Sequence, residues 1–401
     1  MDVKYIDNNF KLGILYDWRK IRRLYESLGV PDEYYQIPWG AILQNKYFID
    51  LSDRSTGKTT NWLLVGLCMN SLYGTIVQYV RATEDELKPS HAEKLVEVVR
   101  SYNEGEYIKK LTGGRWNSIY YHWRQFFYCN VDEDGNRTET ANKAIIQCLS
   151  VDKSHDYKST YNAPLGDFVL FDEFIGKYYR PDECIYFFDL TKTIFRDRHS
   201  PIIVMLANVI NLSSPYFEEM EISRQVRGMQ KGERKQCVTE KGTRIYVEVI
   251  DAEITKSPIR KKMNELFYGF KNPKLNAITG EALYCFESVP HIPKHDESFY
   301  YIQRNIYIEA GVDLLRVEYC YIDSIGYHFE IKPAKDPHED SYILSLEWKE
   351  DPRYLWGFGG DRLTKIFSKM IAQRKIVFSS NEVGTIFYDY VRRYQVLKNK
   401  I

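Results

Sequence analysis

The chain has 401 residues, 44% of them hydrophobic and 15% aromatic, and its 55 basic residues equal its 55 acidic residues in number. This composition excludes a disordered protein, and the length allows two domains with sizeable cores. Because the net charge is zero, a polyanion would have to meet a local basic patch. The 7 cysteines form no CxxC pair, which indicates reduced thiols and argues against a zinc site. Without a signal peptide or a bilayer-length apolar run, we expect a soluble intracellular protein with no membrane partner.

Residues 1–45 are predicted to form a helical extension that packs on the domain that follows. Apolar residues recur at helical spacing from Leu15 to Leu24, and Gly29 is a typical helix C-cap. Gln44, just before the next predicted strand, is a candidate contact for an adenine edge.

The main candidate site lies in KYFIDLSDRSTGKTTNWLLVGLCM, residues 46–69, where an apolar strand, a polar turn and an apolar helix follow one another. This order predicts a phosphate-binding loop for a nucleoside triphosphate. Unpaired N–H groups at the helix start and the Lys58 ammonium bind phosphates, and the Thr59 hydroxyl binds Mg²⁺. Ser52 stands where the usual pattern begins with glycine, so the motif depends on its context. The residues predicted to bind ATP are Ser52, Asp53, Arg54, Ser55, Thr56, Gly57, Lys58, Thr59, Thr60 and Arg81.

A second strand is predicted over residues 75–81, and residues 82–99 are predicted to contain a helix that begins in acidic residues. Arg81 leaves this strand at the edge where an open α/β sheet binds phosphate. A structural ion pair with Glu84 or Asp85 is the alternative for Arg81, and the sequence leaves both open.

Residues 119–149 are predicted to form a hairpin, because an Asp-Gly turn signal separates two apolar segments. The polar stretch 150–166 that follows is predicted to be a loop. Its Lys153 and Lys158 face a ligand, a neighbouring subunit or solvent.

Two carboxylates, Asp172 and Glu173, follow the apolar residues 168–171. A buried strand that ends in two adjacent acids needs a cation or a reaction there, because an unpaired buried carboxylate is costly. Asp172 is predicted to bind Mg²⁺, and Glu173 is predicted to orient and deprotonate the attacking water.

Another apolar strand is predicted over residues 202–208. It ends in Asn208, which either contacts the γ-phosphate or the attacking water, or caps the following turn. The helix predicted over residues 187–200 carries Arg196 and Arg198 near its end. Either arginine is a candidate finger for a neighbour's ATP or a cation that balances the helix C-terminus.

Residues 46–223 are thus predicted to form an α/β P-loop NTPase domain with a RecA/FtsK-like parallel sheet. In this type, an additional strand, expected to carry the catalytic glutamate, lies between the Mg²⁺-binding and phosphate-binding strands. Residues 224–244, rich in Arg and Lys, are predicted to be a basic linker. Residues 245–401 are predicted to form a smaller α+β domain. Its acids do not have the spacing of a nuclease site, so nuclease activity is not expected.

At these motifs the sequence resembles the DNA-packaging (encapsidation) ATPases of small short-tailed bacteriophages, compact relatives of terminase large subunits. The segments that carry the resemblance are DRSTGKT (53–59), QYVRATEDEL (78–87), VLFDEF (169–174), TIFRDR (193–198) and LANVINLSSPYF (206–217). The C-terminal order of a helix, KIVFSSNEV and a last helix rich in tyrosine and arginine is also similar.

The resemblance implies roles for the loop and the acids. Lys58 and Thr59 match the Walker A lysine and hydroxyl, and Arg54 matches the loop arginine of this family's variant Walker A motif. Asp172 matches the Walker B acid, and Glu173 matches the catalytic glutamate.

The resemblance also implies partners. Arg196 matches the arginine that the family uses as a finger in trans, and Asn208 matches the polar residue of its coupling motif. The C-terminal domain is expected to resemble a ribonuclease H-like nuclease that has lost its catalytic acids. The implied activity is ATP-driven, Mg²⁺-dependent translocation of double-stranded DNA into a preformed capsid. The motor would be a homo-oligomeric ring, expected to be a pentamer, docked on the portal or connector of the procapsid in the host cytoplasm. A scaffold RNA is a further candidate partner.

Two other classes of function stay open at this point. The chain could be a different P-loop DNA motor, such as a helicase or a plasmid-partition ATPase, and strand unwinding would distinguish it. It could also be a nucleotide-gated DNA clamp with little turnover, in which case Glu173→Gln would leave its function nearly intact.

Overall fold

The computed structural model of the protein describes residues 16–32, 34–52, 56–101, 106–160, 166–176, 180, 182–196, 201–208, 214–227, 229–251, 305–322, 326–358 and 361–399. These residues divide into two compact units. The first unit contains the described residues up to 176, together with 182–208 and 229–251. The second unit contains residue 180, residues 214–227 and the described residues from 305 onward.

The first unit is built on a nine-stranded sheet with a parallel centre. Its strands are β1 (Tyr47–Ser52), β2 (Val77–Arg81), β3 (Ser118–His122), β4 (Gln125–Val131), β5 (Arg137–Ser150), β6 (Phe168–Asp172), β7 (Ile202–Asn208), β8 (Arg234–Val238) and β9 (Arg244–Val249). The order across the sheet is β3-β4-β5-β2-β6-β7-β1-β9-β8. From β5 to β9 neighbouring strands run parallel, so their carboxyl ends share one edge.

The helices of the first unit cover the apolar faces of this sheet. They are α1 (Trp18–Leu28), α2 (Trp39–Ile42), α3 (Lys58–Tyr73), α4 (Pro89–Ser101), α5 (Glu106–Thr112), α6 (Ser154–Thr160) and α7 (Glu183–Ile194). α3 is buried over most of its length, as its continuous apolar sequence predicts. Gly66 lets α3 approach β2, because a Cβ at this position would lie 2.6 Å from Cγ2 of Val77. α1 confirms the helix predicted in the N-terminal extension, and Gly29 is its C-cap with φ +74°.

The strand order confirms one part of the predicted sheet and corrects another. β7 lies between β6 and β1, so an additional strand does separate the strand of the acids from the strand before the candidate loop. The prediction that this additional strand carries the glutamate is wrong. Glu173 follows directly on Asp172 at the end of β6, and the additional strand carries Asn208 instead.

The prediction of a basic linker over residues 224–244, with the second domain beginning at residue 245, is also wrong. β8 and β9 form an antiparallel hairpin, and β9 pairs in parallel with β1, so both strands belong to the first sheet. Most residues of β8 are exposed and only Cys237 is buried. An exposed edge strand of this kind has no sustained apolar period, and its sequence therefore resembles that of a linker.

Two further local predictions are wrong in part. The stretch before the Asp-Gly turn is not one strand, because a tight turn at Trp123 and Arg124, both with positive φ, divides it into β3 and β4. Neither residue is glycine, so the usual signal for this turn is missing. The predicted loop 150–166 begins with a 3₁₀ turn and α6.

The second unit is built on a six-stranded sheet. Its elements are α8 (Pro215–Glu219), α9 (Ser223–Arg227), β10 (Asn305–Ala310), β11 (Asp313–Ile322), β12 (Gly326–Ala334), β13 (Tyr342–Ser345), β14 (Tyr354–Trp356), α10 (Asp361–Ala372), β15 (Ile376–Phe378) and α11 (Asn381–Lys398). The strand order is β14-β13-β10-β11-β12-β15, in which β10, β11 and β12 form an antiparallel meander and the other pairs are parallel.

The second unit has its own apolar core and recruits α8 and α9 from before β8. Leu315 and Ile331 of the sheet belong to one buried cluster with residues of α10 and α11. α8 is held to α11 by Arg393, whose guanidinium donates to both carboxylate oxygens of Glu218 at 2.6 and 2.9 Å. Among the described residues, no helix is both long and apolar enough to cross a bilayer.

Candidate functional site

The loop between β1 and α3 has the predicted strand, loop and helix order. Gly57 has φ +85° and is the N-cap of α3, which begins at Lys58. A Cβ at Gly57 would lie 2.9 Å from Cδ1 of Tyr34, so this backbone conformation and the packing of the Tyr34 ring both require glycine. The N–H groups of the first turn of α3 have no intrahelical acceptors and can therefore bind an anion. Loop residues 53–55 lie outside the described residues, and their predicted roles stay predictions.

Lys58 lies at the base of the loop and is 5% exposed. Its Nζ donates to Ser52 Oγ and to Asn208 Oδ1, each at 2.7 Å. Ser52 Oγ also lies 3.0 Å from Thr56 Oγ1. The serine that replaces the usual glycine thus serves as an acceptor for the lysine and closes the loop through a second hydroxyl.

The acids at the end of β6 lie beside the loop, as predicted. Thr59 Oγ1 donates to Asp172 Oδ1 at 3.1 Å. A hydroxyl and a carboxylate are oxygen ligands of the kind that Mg²⁺ prefers, so this pair fits a magnesium site. Glu173 has φ +54°, a conformation that is costly for a residue other than glycine and is often found at functional sites.

Arg81 binds both acids. Its NH2 lies 2.7 Å from Glu173 Oε2, and its NH1 lies 3.3 Å from Asp172 Oδ2. Burial lowers the pKa of Arg81. Tyr79, Asp172 and Glu173 around the guanidinium raise the pKa by more than burial lowers it, so the net shift is upward. Arg81 therefore remains a fixed positive charge between the two carboxylates.

The predicted alternative for Arg81, an ion pair with Glu84 or Asp85, is wrong. Glu84 pairs with Arg124, and Asp85 pairs with Lys88 at 2.9 Å. These acids belong to a 3₁₀ turn that follows β2, and the helix α4 begins only after this turn.

Asn208 connects the lysine with the glutamate. Its Oδ1 accepts from Lys58, and its Nδ2 donates to Glu173 Oε1 at 3.3 Å. The sheet register places it there, because Ser52 at the end of β1 is the Cα partner of Asn208. A continuous chain of polar contacts therefore runs from Lys58 through Asn208 and Glu173 to Arg81.

A cavity of about 340 Å³ opens beside the loop, and its lining is partly polar and partly apolar. The polar residues belong to the loop, the start of α3 and the ends of β6 and β7. The apolar and aromatic residues of the lining are Val30, Tyr34, Leu64, Val98 and Tyr107. This group is not visible in the sequence, because its members come from separate elements. Gln44, the residue predicted to contact a base, does not line the cavity.

A buried acid pair lies between β1 and β9, where the sequence gives no warning of it. Asp50 is the Cα partner of Glu248, and Trp62 Nε1 of α3 donates to Asp50 Oδ2 at 2.6 Å. Burial, followed by the charge of Glu248, raises the pKa of Asp50 from 3.8 to about 7. Arg234 Nε donates to Glu248 at 2.9 Å and offsets part of the charge.

Arg196 lies just after α7 and is exposed. Its NH2 donates to the backbone oxygen of Lys158 at 3.3 Å. Among the described residues it bonds neither the loop nor the acids of its own chain. Lys158 pairs through its own Nζ with Asp189 of α7 at 2.8 Å, and Arg198 lies outside the described residues.

The sheet, the loop and the facing acids define an α/β protein with a candidate phosphate-binding site. No protein-family model matches the chain, and no curated protein matches it. Solved structures do match. A chain of the Phi-28 gp11 DNA packaging motor is 15% identical with a TM-score of 0.56, and the match covers 90% of this chain and 98% of that one. A chain of the bacteriophage Phi-29 viral genome packaging motor assembly is 18% identical with a TM-score of 0.56, and the match covers 90% and 100% of the two chains. The chain therefore has the fold of these phage packaging proteins, as the resemblance in sequence predicts.

Proposed function

We propose that this protein is an ATPase whose site lies between the loop before α3 and the acids of β6. The contact of Thr59 with Asp172, beside Glu173, carries the proposal, because it joins a phosphate-binding loop to a pair of acids from a distant strand. Phosphoryl transfer to water requires three kinds of group. They are a lysine and helix N–H groups that bind the phosphates, oxygen ligands for Mg²⁺, and a base that accepts a proton from water.

Thr59 and Asp172 would hold Mg²⁺, since both offer hard oxygen ligands from facing elements. The bound ion supplies neutralisation of the charge on the phosphate oxygens. Lys58 binds the same oxygens and exchanges its hydrogen bonds to Ser52 and Asn208 for bonds to phosphate.

Glu173 is the proposed general base, which accepts a proton from the attacking water. Asn208 is a positioning residue that holds Glu173 Oε1 through its amide. Because Lys58 and Glu173 share Asn208, the arrival of a phosphate at Lys58 frees the amide oxygen and changes how the base is held. Arg81 then exchanges part of its contact with the acids for contact with phosphate.

The apolar and aromatic part of the cavity would bind the base of ATP. Tyr34 is the main candidate, because its ring packs on Gly57 next to the phosphate loop and offers an aromatic face. Residues 30–34 belong to the predicted N-terminal extension, so this extension would complete the nucleotide site rather than only cover the sheet.

Arg196 is the proposed finger in trans. Within the part of the chain that the structure describes, this exposed arginine has only a 3.3 Å bond to a backbone oxygen and does not contact Asp172 or Glu173. A finger of this kind contributes on the order of 10³ to 10⁵ in rate. Head-to-tail contacts that close by rotation would place Arg196 of one subunit at the site of the next and form a ring.

The proposed work of this ring is the translocation of double-stranded DNA into a preformed capsid. The fold shared with two phage DNA packaging motors supports it, together with the motifs that resemble packaging ATPases. Five subunits, docking on the portal or connector and a scaffold RNA rest on the sequence resemblance alone. The DNA contact would be non-specific and sensitive to salt.

The second unit is proposed to be a ribonuclease H-like domain without nuclease activity. The antiparallel meander of β10, β11 and β12, extended by parallel strands on both sides, supports this fold. Glu309, on the central strand β10, is bound by Lys349 Nζ at 2.7 Å. Lys349 Nζ donates to both oxygens of this carboxylate, at 2.8 and 2.7 Å, which makes Glu309 poorly suited to a catalytic metal ion.

The experiment combines purified protein, empty procapsids that carry their portal, linear duplex DNA and ATP with Mg²⁺, and measures the DNA protected from nuclease. We expect ATP-dependent protection that Lys58→Ala abolishes and that Lys94→Ala, at an exposed lysine of α4, leaves intact.

The rival functions give other results in the same system. ATP hydrolysis without protection but with strand unwinding would indicate a helicase. DNA retained without measurable hydrolysis, and unaffected by Glu173→Gln, would indicate a nucleotide-gated clamp.

A further inference from the structure

Three potential metal ligands meet on one face of the second sheet. Cys320 of β11 is the Cα partner of His328 of β12, and Glu330 lies two residues further along β12 on the same face. Their ligand atoms all lie within 4.8 Å of one another, and all three residues are buried. Residues directly opposite each other in an antiparallel pair have Cβ atoms about 5 Å apart, so short side chains can reach one ion.

His328 is held in the form that a metal ion requires. Its Nδ1 lies 2.9 Å from the backbone oxygen of Gly326, and because a carbonyl can only accept, Nδ1 carries the proton. Nε2 is therefore left with its lone pair. This nitrogen is fully buried and has no hydrogen-bond partner among the residues that the structure describes, although a buried unpaired polar atom is costly. A backbone oxygen on one ring nitrogen and an ion on the other is the usual arrangement of metal-binding histidines.

We propose that Cys320, His328 and Glu330 form a binding site for a divalent transition-metal ion, with Zn²⁺ as the ion that fits best. A thiolate, an imidazole and a carboxylate are ligands that Zn²⁺ accepts together, whereas Mg²⁺ prefers oxygen alone. Zinc forms bonds of about 2.3 Å to sulfur and 2.0 Å to nitrogen, so each ligand atom would move toward the ion by about 1 Å or less.

The charges around the three ligands permit such an ion. Lys332 Nζ lies 3.1 Å from Glu318 Oε2 and 3.3 Å from Glu330 Oε1, and Arg316 pairs with Glu318. The two acids and two bases balance each other. Binding of a divalent ion with loss of the Cys320 proton therefore adds a single positive charge to a neutral group of side chains.

The sequence did not indicate this site, and its cysteine spacing argued against zinc. Cys320 and His328 follow none of the short spacings of known zinc motifs. Strand pairing between β11 and β12 brings them together, and pairing of this kind is not visible in cysteine and histidine counts.

The test uses the full chain, stripped of metal with a chelator and then titrated with Co²⁺ and Zn²⁺. We expect one Zn²⁺ per chain by mass spectrometry of the dialysed protein. Co²⁺ is expected to give a thiolate-to-metal charge-transfer band that disappears when Zn²⁺ displaces the Co²⁺. Mg²⁺ at Thr59 and Asp172 cannot produce such a band. Cys320→Ser should abolish the band, and His328→Gln should weaken binding about tenfold or more.

Cys237→Ser is the matched control, because Cys237 is also buried and lies in β8 of the first unit. It should leave both the band and the stoichiometry unchanged. If the wild-type chain gives no thiolate band, or if the band survives Cys320→Ser, the proposal is wrong. The absence of a band from the wild-type spectrum contradicts the proposal even if a variant fails to fold. ATP hydrolysis does not enter the measurement, so its outcome leaves the proposed ATPase function untouched.

Discussion

Arg81 is the positive charge that allows two adjacent carboxylates to end a buried strand. It contacts Glu173 and Asp172 while only 13% of its side chain is exposed. Arg81→Ala leaves both acids without their cation, so we expect the free energy of unfolding to fall by about 2 kcal/mol. Saturating Mg²⁺ with ATP should recover part of this loss, because the ion neutralises Asp172. Urea unfolding with and without the nucleotide measures both effects.

Arg22→Ala is the control for Arg81→Ala. Arg22 pairs with Glu26 on the surface of α1, where an ion pair contributes little. A change in stability as small for Arg81→Ala as for this control would contradict the role of Arg81 in balancing the acids.

Asp50 gives the stability of the first unit a pH dependence. Its folded pKa, about 7, exceeds the ordinary value of 3.8, so between these pH values the folded chain holds a proton that the unfolded chain releases. The stability due to this proton is fully present below about pH 4 and is lost as the pH rises through about 7. Asn at this position can still accept from Trp62 and has no proton to lose.

We therefore expect Asp50→Asn to become more stable relative to the wild type as the pH rises. The difference should grow by on the order of a few kcal/mol between about pH 4 and pH 8. Urea unfolding of both proteins across this range measures it, with Asp134→Asn in an exposed turn as the control. A difference that stays constant with pH would contradict the raised pKa of Asp50.

At the scale of elements, the strands that carry the site were predictable and their neighbours were not. β1, β6 and β7 are short apolar runs that end in a polar residue, and this local pattern is visible in the sequence. The contacts of Asn208 with Lys58 and Glu173 depend on the order of strands in the sheet. Local sequence does not contain that order. The sequence therefore left two roles open for Asn208, contact with phosphate or water and capping of the following turn.

The elements that local sequence does not predict depart from expectation for the same physical reason. β8 is an exposed edge strand, and the turn between β3 and β4 uses Trp123 and Arg124 where glycine or asparagine is usual. In both places tertiary contacts, rather than local preference, determine the conformation. The apolar lining of the cavity is not visible in the sequence for a similar reason, because Val30 and Tyr107 line the same cavity only in the folded chain.

The segment between α1 and α2 is predicted to bind the nucleotide base through Tyr34. Tyr34→Ala should raise the KM for ATP by about tenfold, since stacking of a base on an aromatic ring contributes about 1–3 kcal/mol. Inhibition by tripolyphosphate, which has no base, should change much less. Steady-state kinetics with both ligands measures the two effects.

Tyr34→Phe keeps the ring and should behave like the wild type, and Tyr342→Ala removes an exposed tyrosine of the second unit as a control. Equal weakening of ATP and tripolyphosphate would mean that Tyr34 supports the loop at Gly57 instead of binding a base.

At the scale of the whole molecule, the predicted α/β class with a parallel sheet holds and the predicted domain boundary does not. The chain leaves the first unit after β7, contributes α8 and α9 to the second unit and returns to the first sheet at β8. A boundary drawn from composition assumes that each domain is continuous in sequence. The second unit is discontinuous, so no single boundary could be correct.

The proposed ring predicts complementation between defective subunits. Arg196→Ala and Lys58→Ala chains should each be nearly inactive alone, but a mixture should regain part of the ATPase activity. In a mixed interface, the intact Lys58 of one subunit meets the intact Arg196 of the next. ATP hydrolysis across a series of mixing ratios measures the recovery.

Arg19→Ala, at an exposed arginine of α1, is the control partner and should change activity only in proportion to its share of the mixture. If Arg196→Ala and Lys58→Ala give no recovery at any ratio, Arg196 is not a finger in trans.

Glu173 links the geometry of the site most directly to the proposed ATP hydrolysis. The measurement is the rate of ATP hydrolysis by Glu173→Gln with Mg²⁺, beside its affinity for ATP in the same buffer. We expect the affinity to remain within about threefold of the wild type and the rate to fall by about 10²- to 10⁴-fold, because Gln can still accept from Arg81 but cannot take a proton from water. Hydrolysis by Glu173→Gln at the wild-type rate would contradict a catalytic site at the loop between β1 and α3.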